Sequence, residues 1–144
     1  MKTLNYLITL LCLAGLAMVA NPLHAITVKA TLIEASNEAA APDERLKDYT
    51  PNLKRIFRYD SFRLIDSGST EVGVPGAGAI GINGQQIKFN TAPAEKGRVR
   101  LSIDWRQGKR QIMQTTVSAS SSSPTALGGP STENGKLILV LEYE

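Results

Sequence analysis

A mainly β protein is predicted by three features of the chain. Apolar and polar residues alternate at period two over several short segments, turn signals recur about every ten residues, and only one stretch has a helical period. The predicted architecture is an antiparallel sandwich or barrel of about seven to eight short strands, with one Pro-interrupted amphipathic helix near its start.

The chain opens with a basic residue, Lys2, then an apolar run over residues 4–20, then Asn21-Pro22-Leu23-His24-Ala25. That order is the one a secretory signal peptide requires. Residues 1–25 are therefore expected to be removed, with cleavage after Ala20 as the alternative to cleavage after Ala25. A retained anchor needs about 20 apolar residues and a basic stop-transfer flank, which this run lacks, so no transmembrane span is expected after removal. The expected location is periplasmic or secreted.

Removal of 25 of the 144 residues leaves 119, which fits a single β-rich domain, residues 26–144. Cys12 and His24 both go with the leader. The mature chain then has no disulfide framework, no Cys/His zinc site, no Ser-His-Asp triad and no Cys or His nucleophile or base. No cofactor or metal is expected. The remaining 15 basic and 13 acidic side chains give a net charge of +2, too small to call for nucleic acid or an anionic membrane.

Residues 26–35 (ITVKATLIEA) alternate, with Ile26, Val28, Ala30 and Leu32 on one face and Thr27, Lys29 and Thr31 on a wet one. Residues 43–59 (DERLKDYTPNLKRIFRY) switch period. Leu46, Tyr49, Leu53, Ile56 and Phe57 recur at spacings of three and four, which predicts an amphipathic helix. Pro51 breaks it, and Thr50-Pro51 reads as an N-cap followed by a first-turn proline, so two short helices are expected to meet there. From Ser61 onward the pattern is β: Phe62 and Leu64 alternate with Arg63 and Ile65, and a turn at Gly68 precedes Val72 and Val74. Residues 76–84 (GAGAIGING) read as a flexible hairpin arm, with Asn83-Gly84 the strongest two-residue hairpin signal. Ile87 and Phe89 lie on the return strand. In residues 98–105 (RVRLSIDW), Val99, Leu101, Ile103 and Trp105 point inward and Arg98, Arg100, Ser102 and Asp104 outward. Gln107-Gly108 turns the chain into residues 111–117, its hairpin partner. Residues 118–124 form a Ser-rich loop expected to be mobile. The last strand, residues 136–143 (KLILVLEY), is apolar on both faces, as in a central strand covered on both sides.

Few side chains point to chemistry. Residues 76–81 have the spacing of a dinucleotide-binding glycine loop, but a hairpin and a strand follow where a helix is needed. Glu34, Glu38, Asp43, Glu44 and Asp48 could serve a carboxylate hydrolase, yet a loop and a helix start account for them, since acidic groups favour the helix dipole. Basic residues gather in two places: Lys54, Arg55, Arg58 and Arg63 on and after the helix, and Arg98, Arg100, Arg106, Lys109 and Arg110 on one hairpin. If these faces converge they could bind an anionic glycan, a lipid headgroup or an acidic partner. Trp105, the only Trp, reads either as a core residue or as a sugar platform beside those arginines. The candidate partner surface is thus Lys54, Arg55, Arg58, Arg63, Arg98, Arg100, Trp105 and Arg106.

Three stretches occur together: residues 28–37 (VKATLIEASN), residues 53–64 (LKRIFRYDSFRL), and residues 126–130 (ALGGP) leading into residues 137–140 (LILV). The combination resembles a family of small exported bacterial proteins of uncharacterised function, which share an LK..F.Y.S(F/Y).L segment and a terminal GGP...G.LIL strand. The resemblance implies an envelope or secreted location and a fixed turn at Gly128-Gly129-Pro130. It implies no activity and no site residues. The expected function is that of a non-catalytic, protein-binding or assembly module of the cell envelope, acting through a sheet edge or the basic segments. An acidic-glycan-binding domain is the alternative and a carboxylate hydrolase the third.

Overall fold

The computed structural model describes residues 24–121 and 123–144; most of the expected signal segment, residues 1–23, lies outside them. Eight strands form two antiparallel four-stranded sheets, so the open sandwich of the two predicted architectures is the one present. Sheet A has the order β2 (Ser61–Val74), β1 (His24–Ser36), β8 (Gly135–Tyr143), β7 (Thr125–Ser131). Sheet B has the order β3 (Gly76–Ile82), β4 (Gln85–Pro93), β5 (Val99–Gln107), β6 (Arg110–Ala119). The chain crosses between sheets at one side through the cis Val74–Pro75 bond and at the other through the loop before β7.

The main core lies between the sheets. It joins Ile26, Val28, Ala30 and Leu32 of β1 and Leu139, Leu141 and Tyr143 of β8 to Ile87 and Phe89 of β4 and Val99, Leu101, Ile103 and Trp105 of β5. Full burial of such side chains stabilises each by about 1.5–3 kcal/mol relative to exposure. A second core covers the other face of sheet A. There Ile33 and Ala35 of β1, Phe62 of β2, and Ile138 and Val140 of β8 meet Leu46 and Leu53 from the helical segment. The two-sided apolar pattern of β8 therefore has the predicted cause, a central position with the second sheet on one face and the helix on the other.

Several expectations are corrected. The second face of β1 is wet only at its start: Thr31, Ile33 and Ala35 are buried beneath the helical segment. That segment is a 3-10 turn, Glu44–Leu46, and a helix, α1 (Thr50–Ile56), so the break falls where Pro51 predicts. Thr50, however, is not the cap. The residue before the helix is Tyr49, and the Thr50 hydroxyl instead donates to the Leu46 carbonyl at 2.8 Å, tying the two pieces together. Gly68 makes no turn, because β2 runs straight through it; it faces Ala30 across the ladder, and a Cβ there would lie 3.0 Å from both Ile80 and Ile82. The Gly/Ala run 76–82 is strand β3 rather than a flexible arm, while Asn83-Gly84 forms the expected hairpin with φ of 43° and 74°. Gly128-Gly129-Pro130 is part of β7 and not a turn. Gly129 is needed in that strand because a Cβ there would come 2.2 Å from the Trp105 ring. Ser118 belongs to β6, so the Ser-rich connection begins later than expected.

Candidate functional site

The outer face of sheet B follows from the alternation of β5. With Val99, Leu101, Ile103 and Trp105 turned inward, Arg98, Arg100, Ser102, Asp104 and Arg106 are left outside. Cross-strand register arranges this face in rows. Lys88, Asp104 and Gln114 form one, Asn90, Ser102 and Thr116 the next. These two rows line a shallow depression of about 1000 Å³, floored towards β3 by Ala77 and Ala79. Asp104 accepts from Arg106 Nε at 2.9 Å and from Gln111 Nε2 at 3.1 Å, and these bonds hold its carboxyl below the usual carboxylate range. Arg98 reaches along the hairpin, donating to Ser118 Oγ at 3.0 Å and to the Ser118 carbonyl at 2.9 Å. Arg100 stands opposite Ser118 and is exposed.

Trp105 is removed from the candidate surface. It is 0% exposed, sits in the core between the sheets and donates its indole N–H to the buried Gln85 Oε1 at 2.9 Å. A buried indole needs a partner for that group, and Gln85 at the start of β4 supplies it. The core reading of this residue is the one the structure shows.

The two basic groups do not converge. The helical segment packs on the face of sheet A that points away from sheet B, and Lys54, Arg55 and Arg58 lie exposed on it or just after it. Arg98, Arg100 and Arg106 project from the far face of sheet B, while Arg110, opposite Gln107, does not. Arg55 bonds Asn52 Oδ1 at 2.7 Å. Arg63 is a third case, paired across the β1–β2 ladder with Glu34 at 2.8 Å. Of the eight candidates, Arg98, Arg100 and Arg106 share the outer face of sheet B, and Lys54, Arg55 and Arg58 lie together on the opposite side of the molecule.

Several carboxylates are engaged by the fold, at separate points. Asp43 takes both an Arg45 guanidinium contact at 2.8 Å and the Leu64 backbone N–H of edge strand β2 at 3.1 Å. These contacts, with the Arg45 hydrogen bond the largest, hold its carboxyl far below the usual range. Asp66 accepts from Ser67 N and from Asn83 N, fastening the β3–β4 hairpin to β2. Beneath the helical segment, the Tyr49 hydroxyl donates to Glu142, which also pairs with Lys29 at 3.8 Å. Burial first, and Glu142 second, push the Tyr49 hydroxyl up to about 12. The Tyr49–Glu142 contact went unread in the sequence, although a Tyr in an aliphatic helix stripe and a Glu in an apolar strand were its signals. Lys88, Asn90, Gln114 and Thr116 were likewise passed over, being ordinary polar positions on alternating strands.

Among the described residues, no group of three or more His, Cys, Asp or Glu is placed to hold a metal ion, and no helix is long and apolar enough to cross a membrane. No family model, no curated protein and no solved structure matches the chain.

Proposed function

We propose that this chain is an exported, non-catalytic β-domain that acts as a protein-binding or assembly module of the cell envelope. The observation that carries the reading is the contrast between its sheet edges. β2 is shielded by Asp43, whose carboxylate occupies the Leu64 N–H. β3 lies against β2, where Gly68 meets Ile80 and Ile82 and Asp66 binds Asn83 N. β7 contains Pro130 and an irregular register, and its Gly128 lies close to Phe57. β6 pairs with β5 along one side; its register shifts once, at the Arg106–Gln111 end, and it touches β7 less than β3 touches β2, but it contains no proline and, among the described residues, no carboxylate takes its backbone N–H groups. The signal-like segment at residues 1–25 supports export.

The test is a gentle crosslink of the C-terminally tagged protein in its own cells, followed by recovery from the envelope and mass spectrometry. One dominant protein partner is expected. An abundant, folded bait that brings down none contradicts the reading, as does stoichiometric turnover of a small molecule by the purified protein.

An acidic-glycan-binding domain is the second reading, favoured by the polar depression beside Arg98 and Arg100. It predicts salt-sensitive retention on an acidic polysaccharide such as alginate. An Arg98→Ala/Arg100→Ala variant retained as strongly as the parent counts against it.

A further inference from the structure

Resting on the protein-binding reading, we propose that β6 is a docking strand that takes an extended acidic segment of a partner protein as a fifth strand of sheet B. Four observations lead there.

First, residues 111–119 (QIMQTTVSA) contain no charge, no proline and no glycine, and the one register irregularity of the strand lies at its start, beside Ile112, so the edge is not blunted from Met113 onward. Second, β6 is regular in register with β5 from Met113 onward, so its unpaired backbone groups are presented at strand spacing. Third, the inward side of the strand is left unfinished. Met113 and Val117, opposite Trp105 and Leu101, are only partly buried against the main core, and Ile112 and Leu127 beside them are in the same condition. An added strand with apolar residues facing inward would cover them.

The fourth observation selects the occupant. The outward side of β5 and β6 has Arg98, Arg100 and Arg106, with Lys88 on the neighbouring strand, against a single carboxylate, Asp104, already held by Arg106 and Gln111. A strand added to β6 lies about 10 Å from β5, within reach of long side chains. Acidic residues on its outward face would meet these arginines. A second copy of the chain would instead bring another basic hairpin to the same place. The partner segment is therefore extended, alternating apolar with acidic, and main-chain pairing supplies the affinity while the charges set the choice.

The test uses protein purified from its own cells through a C-terminal tag, with two labelled ten-residue peptides read by fluorescence anisotropy. One alternates Val with Glu and the other Val with Lys. The Glu peptide is expected to bind, weakening about tenfold between low and high salt, and the Lys peptide not to bind. An Arg98→Glu/Arg100→Glu variant should reverse the preference. Thr115→Pro and Thr116→Pro provide the backbone control, because neighbouring N–H groups in a strand point to opposite sides. Whichever proline replaces the edge-facing N–H should leave the far-ultraviolet spectrum and the Trp105 emission unchanged and abolish binding.

The proposal is overturned if neither peptide binds, if both bind alike, or if the folded proline variant binds as the parent does. It is also overturned if sedimentation shows a dimer that this proline dissociates, since the occupant is then a second copy. Capture of one dominant envelope partner that survives the proline substitution would sink this inference and leave the protein-binding reading standing.

Discussion

Trp105 and Gly129 depend on each other although they stand on different sheets. The indole fills the space that a side chain at residue 129 would need, and a methyl there would fall 2.2 Å from the ring. Because the ring is wholly buried and held through Gln85, Gly129→Ala should destabilise the fold by about 1–3 kcal/mol, as overpacked cores do. Denaturant unfolding followed by Trp105 emission checks this, since the parent should emit in the blue and shift red on unfolding. Asp43 gives a second test. Its carboxyl is held far below the ordinary value, so its contribution is present above about pH 4 and is lost as pH falls towards the folded value. Asp43→Asn should lower the denaturant midpoint at pH 7 and reduce its decline between pH 5 and pH 3. At this scale the sequence was only partly legible. The inward set of β5 could be read from alternation, but Gln85 as the indole's partner and Leu64 N–H as Asp43's partner depend on contacts made by distant segments.

The helical segment and β8 show which elements could be read and which could not. β8 declared its central place because both faces are apolar, and Pro51 declared the break in the helix. The glycines misled: Gly68 and Gly129 look like turn residues, yet each is a strand position where a neighbouring core side chain occupies the room of a Cβ. Turn propensity is local, while that requirement comes from the opposite sheet. Leu53 anchors α1 to sheet A with 2% exposure, so Leu53→Ala should cost about 2–5 kcal/mol in equilibrium unfolding. Tyr49 adds a pH signature. A folded value of about 12 against about 10 for the free side chain means that its contribution is intact below pH 10 and disappears as pH rises through 12. Tyr49→Phe should cost about 1 kcal/mol at pH 8 and should remove that alkaline component from the pH dependence of the denaturant midpoint.

The molecule has two outer faces with different assignments. On sheet A the helical segment closes the face and completes a second core. On sheet B the face stays open, is basic along the β5–β6 hairpin, and ends in a strand with no charge, proline or glycine over residues 111–119. The sequence marked both basic groups but could not tell that they lie on opposite sides, because that separation comes from the sheet order rather than from any one segment. Nor could it distinguish β6 from the protected edges, since Asp43, Pro130 and the β2–β3 contact act only once the sheets are assembled. The central claim is that the open side of sheet B, and not the helix-covered side, meets a protein partner. The most direct measurement places a photo-crosslinking residue at Thr116 or at Arg55 in the tagged protein, irradiates living cells and compares adducts. The account predicts one discrete protein adduct from residue 116 and none from residue 55. An adduct from residue 55 alone, or none from either, would contradict it.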